Sequence, residues 1–280
     1  MKRIARYLLL LLLFSTYYTV LSFFLSEANL LHLEHLFSVN QINTLFEGNN
    51  NTLEVFYFSK PLLHQILNIP IGIFDSFVAP VLTSILAVSC LGSFLINNLL
   101  KTDKKWTALV VGIYFLLSPV IIYAATSGSS LYLFLVLFFI IFYFLLRYAF
   151  DFTSFNLIIV SISFSLFVFL EYRFLYYLFF LVPLFFFYSV FSVIGVKRSF
   201  VKIFDKVTES SSQQRKLISR FLSIVVIVCF TPIVTFLLFL VVNKWFGNEY
   251  FYFEGINSIQ WNRDSIIQFQ FSKTLAQDVY

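Results

Sequence analysis

The stretch LYLFLVLFFIIFYFLLRYA, residues 131–149, carries a single charge, Arg147, close to its end. A run of about 18 or more apolar residues has the length of a helix that crosses a bilayer. Working outward, comparable runs lie at about 7–25, 77–100, 106–125, 155–170, 174–196 and 221–242. The chain is 60% hydrophobic and 12% charged, about half the charge of a soluble domain. Its 40 phenylalanines in 280 residues cannot all hide in a soluble core. The expected class is an all-α polytopic membrane protein with about seven transmembrane helices. Residues 1–242 form the membrane module, and 243–280 form an extracytoplasmic C-terminal segment. The net charge of +5 is no nucleic-acid signal, because the basic residues sit in short loops between spans. Cys90 and Cys229 both fall inside apolar runs and imply no disulfide framework.

Orientation follows from the basic residues. With the N-terminus inside, Lys2, Arg3, Arg6, Lys101, Lys104, Lys105, Arg147 and seven more between 197 and 220 are cytoplasmic. Only Lys60, Arg173, Lys244, Arg263 and Lys273 are outside. That is a strong positive-inside bias, and it places the C-terminus outside. The first run follows Lys2, Arg3 and Arg6, and Ser26-Glu27-Ala28 offers a cleavage-like site. The run is long for a signal peptide and right for a span, so a retained anchor is expected. The basic stretch 197–220 is read as an orientation signal with attraction to anionic lipid.

The first outer loop, 26–75, holds all three histidines (His32, His35, His64) and the glutamates Glu27, Glu34, Glu47 and Glu54. Ser38-Val39-Asn40-Gln41 has the form of a capping box. It predicts a short helix after Ser38, with Ile42, Leu45 and Phe46 as its stripe. Ser59-Lys60-Pro61 predicts a second, with Leu62, Leu63, Ile66 and Leu67 as its stripe and His64 on its polar side, ending at Asn68 and Pro70. Two such helices between spans suit the membrane surface. Asp75 or Ser76 is the expected cap of the second span.

Glu34 is the carboxylate that could act as a general base on a hydroxyl, or hold a metal, just outside the membrane. His32 and His35 could share a helix face, but no third ligand stands at a recognised spacing. No metal residue is therefore assigned, and the cofactor is left open, with a divalent metal as one candidate. Glu171 and Arg173 stand in a tight turn between two spans, where an ionisable residue is costly and points to function. The bland alternatives are a solvated loop glutamate for Glu34, and an interfacial pair for Glu171 and Arg173.

One long loop bearing two short helices after span 1, and a second outer segment after span 7, resemble the seven-span module of the GT-C membrane glycosyltransferases. Phe58-Ser59-Lys60-Pro61-Leu62-Leu63-His64 is similar to that family's proline-led surface helix. Ser118-Pro119-Val120-Ile121-Ile122-Tyr123-Ala124, with the polar turn after it, is similar to the span 3–4 region. Phe169-Leu170-Glu171-Tyr172-Arg173 is similar to the place where many members carry a basic residue after span 5. The resemblance implies a polyprenyl-phosphate-linked sugar donor, transfer on the extracytoplasmic side, and a cell-envelope setting in a bacterial inner membrane. It implies Glu34 as the catalytic residue, with Arg173, Glu171, His35 and Lys60 binding substrate. The family's second carboxylate after span 1 and its acidic residue before span 4 are not matched here. Members usually continue into further spans, so a shortened or minimal module is expected. The alternative is a non-catalytic multi-spanning subunit or scaffold of an envelope assembly. A transporter is less favoured, because ionisable residues within the spans are scarce and no pair of broken helices repeats between halves.

Overall fold

The computed structural model describes residues 2–27, 33–47, 62–171, 174–194 and 211–247. The described residues form ten helices and no strand: α1 (Lys2–Glu27), α2 (Leu33–Glu47), α3 (Leu62–Gly72), α4 (Ala79–Lys101), α5 (Lys105–Leu117), α6 (Pro119–Thr126), α7 (Leu131–Asp151), α8 (Ser154–Leu170), α9 (Leu175–Ile194) and α10 (Ser211–Gly247). Four are long and apolar enough to cross a membrane: α1, α4, α7 and α10. The pair α5 and α6 makes a fifth if counted as one bent span. Helix α8 and the Leu175–Phe187 part of α9 are apolar but shorter. Large apolar side chains stand exposed along the long helices, among them Leu9 and Leu12 on α1, Leu146 on α7, and Phe230 and Leu238 on α10. Such a surface suits lipid, and the chain is an integral membrane protein.

The core is built on helical stripes. Leu133, Leu137, Ile141 and Leu145 recur every four residues on α7 and are buried, as are Val160, Phe164 and Phe167 on α8. Helix α4 packs on α1 and α5, and α8 packs between α7 and α10. Helix α3 touches both α4 and α8 and bridges the two groups at one end.

The third apolar run is not the continuous span its length suggests. It breaks by 60° between α5 and α6. Ser118 is extended (ψ 118°) because the residue before a proline is pushed out of the helical region. Pro119 then starts α6 at a position where its missing N–H costs nothing. The break strands carbonyls that a bilayer cannot hydrate. Tyr18 Oη donates to the Phe115 carbonyl at 2.7 Å, and Tyr17 Oη donates to that of Leu116 at 2.6 Å. Phe115 is the residue whose helical partner would have been the N–H of position 119. The device recurs on α10, where Pro232 leaves the Val228 carbonyl without its N–H, and Ser161 Oγ donates to it at 3.1 Å. Ser84 Oγ likewise donates to Ala125 at the end of α6, at 2.7 Å. At each of these places the carbonyl is thus closed by a hydroxyl from a neighbouring helix.

The loop helices depart from expectation in two ways. Helix α2 begins at Leu33, so Ser38 is not its N-cap but a buried residue in its middle. Helix α3 runs through Pro70 to Gly72, and its polar side is the one turned inward. His64, Gln65 and Asn68 are buried, whereas Ile66 and Leu67 are exposed. The apolar face continues through Ile73, Phe74 (89% exposed) and Phe77. Neither Asp75 nor Ser76 is the N-cap of α4, which is Val78 with no side-chain cap; Asp75 Oδ1 instead accepts from the N–H groups of Phe77 and Val78, at 2.8 and 3.1 Å, in the turn that leads into the helix.

Candidate functional site

A cluster of buried polar side chains lies where α2 and α3 meet the turn between α6 and α7. That turn, residues 127–130, is tied to itself: the Ser127 and Ser129 hydroxyls lie 2.8 Å apart, and Ser129 N–H donates to Ser127 Oγ at 3.3 Å. Gly128 adopts φ +64°, a conformation that suits glycine. It has a second reason to lack a side chain, because a Cβ there would lie 2.5 Å from His35 Nδ1. The His35 ring is fully buried, and it meets Phe77 edge to face with centroids 5.0 Å apart.

Next to His35, Glu34 reaches across 96 positions of sequence to the start of α7, where its Oε2 accepts from Ser130 N–H at 3.1 Å. Ser130 is the residue that precedes the first turn of α7. A carboxylate there meets an unsatisfied N–H and the positive end of the helix dipole. The Glu34 charge also acts on the Tyr123 and Tyr132 rings, on α6 and α7.

The third member is His64. Asn68 Nδ2 lies 3.1 Å from its Nε2, and Tyr132 Oη lies 3.3 Å from its Nδ1. With the Asn68 amide so assigned, Nε2 accepts and the ring proton sits on Nδ1, pointing at Tyr132. The Gly128 backbone is also within hydrogen-bonding reach of the ring. Burial drives the His64 pKa down to about 3; the Gly128 backbone works against that shift and the nearby His35 adds to it. His64 is therefore a neutral imidazole at physiological pH, fixed by its two neighbours.

Of the residues singled out from sequence, Glu34 and His35 come together here. Glu171 follows the last residue of α8, which α3 touches, so it lies at the same end of the bundle. It is partly buried in an extended conformation, its N–H donating to Phe167 O at 2.7 Å and its carbonyl accepting from Phe174 N–H at 3.0 Å. Arg173, Lys60, His32 and Glu54 lie outside the described residues. His64, Asn68, Tyr132 and the serine turn were not singled out as site residues. The one signal for them was that a glycine between serines followed a proline-broken apolar run. Among the described residues no three of His, Cys, Asp and Glu gather to hold a metal ion. His64 spends both ring nitrogens on Asn68 and Tyr132, so the donor set here does not fit a metal centre.

The arrangement offers a carboxylate at a helix N-terminus, a neutral imidazole and several hydroxyls in a largely buried corner. It can accept a proton from, or orient, a hydroxyl-bearing ligand. Comparison with protein-family models, with curated proteins and with solved structures finds no match for this chain.

Proposed function

We propose that the chain is a GT-C-type membrane glycosyltransferase that moves a sugar from a polyprenyl-phosphate carrier to an acceptor hydroxyl outside the cytoplasm. In this reading α8 and α9 also cross the bilayer, which makes seven spans. The N-terminus is cytoplasmic, the C-terminal segment is extracytoplasmic, and the membrane is a bacterial inner membrane. The observation that supports it best is the position of Glu34. The first carboxylate described beyond span 1 is held at the loop-bearing end, beside two histidines and the start of a span.

In the reaction, Glu34 takes the proton of the acceptor hydroxyl as its oxygen bonds to the anomeric carbon. The bond from that carbon to the carrier phosphate breaks, and the phosphate leaves with the electron pair, giving one inverting displacement. Arg173 compensates the leaving charge, for which a guanidinium fork is suited. Glu171, His35 and Lys60 contribute to the substrate site. Positioning and charge stabilisation supply most of the rate.

The test uses membranes supplied with a radiolabelled hexose on undecaprenyl phosphate. Glu34→Gln keeps an oxygen for Ser130 N–H but no base, so transfer falls by about 10²–10⁴ while thermal stability holds. Unchanged transfer would remove Glu34 from the site. One observation favours a second reading, a non-catalytic envelope subunit: the Glu34 carboxylate already caps α7. There, wild type transfers nothing, and Glu34→Ala costs about 1 kcal/mol of stability as a lost cap.

A further inference from the structure

Midway along α4 and α7, and near the start of α1, a groove of about 390 Å³ opens between these three helices. Its size falls within the roughly 300–1,000 Å³ of ligand sites. Tyr7 of α1, Ala87, Cys90 and Phe94 of α4, and Phe139 and Tyr143 of α7 line it. The last three rings pack on one another, with centroids 5.7–6.2 Å apart and Phe94 edge-on to both others, which makes a stiff aromatic wall. The Tyr7 hydroxyl and the Cys90 thiol meet within the groove. Water would find too few polar partners there to stay. The groove joins the lipid-facing perimeter, because Cys90 and Phe94 are both exposed.

The three helices that wall the groove end in cations on that side. Arg6 directly precedes Tyr7, Arg147 lies one turn beyond Tyr143, and Lys101 is the last residue of α4, about two turns past Phe94. Arg147 is paired with Asp151 at 3.2 Å, but Arg6 is exposed and has no acidic partner among the described residues. An apolar slot with a cationic rim matches a molecule with a hydrocarbon tail and an anionic head. We propose that this groove binds one acyl chain of an anionic phospholipid, with its phosphate against Arg6 and Lys101. The site is separate from the Glu34 cluster and does not depend on what that cluster does.

Cys90 makes the proposal measurable in the intact chain. In a Cys229→Ser background, purified and stripped of lipid, alkylation of Cys90 by N-ethylmaleimide is timed with dioleoyl phosphatidylglycerol or the matching phosphatidylcholine. One basic residue near an anionic surface is worth on the order of a five-fold change in affinity. Phosphatidylglycerol should therefore protect Cys90 at a several-fold lower concentration than phosphatidylcholine. Arg6→Gln should erase that difference without changing the rate in the absence of lipid. Ala87→Phe, which fills the slot, should slow the reaction with no lipid present. If that variant does not fold, the Arg6→Gln arm decides alone. Equal protection by both lipids would mean ordinary annular hydrocarbon, and no protection would mean an empty groove. A Cys90–Cys90 cross-link formed by a bismaleimide in a parallel reaction would mean a second copy fills it. Each of these three results overturns the proposal.

Discussion

Removing one oxygen atom from Tyr18 isolates the role of the break in the third apolar run. Tyr18→Phe keeps the ring, which stacks on Phe14 at 6.2 Å, and deletes only the hydroxyl that donates to Phe115. The residue is 0% exposed, so no water replaces the lost donor, and Pro119 offers no N–H. A buried carbonyl left without a partner costs about 1–3 kcal/mol. Interhelical hydrogen bonds in membrane proteins measure lower, on average about 0.6 and at most about 1.7 kcal/mol. The expected loss is thus about 1–2 kcal/mol, at the upper end for such bonds. The assay is unfolding in mixed micelles, followed by circular dichroism and tryptophan emission, for wild type, Tyr18→Phe, Pro119→Ala and the double variant. With alanine at 119 an N–H becomes available to Phe115, so the same Tyr18→Phe step should cost less than about 0.5 kcal/mol. The coupling of about 1 kcal/mol is the signature, since independent sites add. If Tyr18→Phe costs the same in both backgrounds, the hydroxyl is not serving the carbonyl that the proline strands.

Gly128→Ala should destabilise the docking of α2 by at least about 2 kcal/mol, from the positive φ and the clash with His35. Hydrogen exchange across residues 33–47 reads this. Gly112→Ala, whose Cβ would meet only Ile96 at 3.6 Å, should be neutral or stabilise by up to about 1 kcal/mol. For His64, the folded pKa of about 3 lies below the free value of 6.5, so the unfolded state binds more protons between those values and stability falls as pH drops through that window. The loss at pH 4 relative to pH 7 is on the order of 3 kcal/mol. It shows as faster proteolysis near α3, and His64→Gln flattens the dependence. A bimane on Phe74→Cys, in a chain without Cys90 and Cys229, should be quenched by brominated acyl chains. Emission unchanged by bromolipid would place the exposed face of α3 in water.

The long helices were legible because their apolar runs are as long as a bilayer is thick, and little competes with that signal. The bend at Ser118 was not, although Pro119 was in view. A proline can either kink a helix or start a new one, and here the outcome rests on two tyrosines a hundred positions away. The Ser38 capping box was a local coincidence that tertiary contacts overrode. Gly128 leaves room for the His35 ring and Ser130 N–H donates to Glu34, and both fix the helix one turn earlier. For α3 the periodicity of the stripe was right, but a stripe does not say which side faces the protein. In water the apolar side turns in. At a lipid boundary it can turn out, and then His64 and Asn68 become the interior. Glu34 and His35 stood out as chemistry-bearing types, while their partners in the serine turn were hidden by distance along the chain.

Helix α3 wears its grease on the outside and keeps its imidazole within, which has a practical consequence for anyone extracting this protein. A short-tailed, loosely packed detergent lets water reach Ile66, Phe74 and Phe77, and the cheapest response is for α3 to roll over. That would undo the His64–Asn68–Tyr132 contacts first, while the long bundle helices stay folded. A preparation can therefore keep its full helix content and still have lost the corner where its chemistry is expected, so solubilisation conditions should be chosen by the state of that corner and not by helicity.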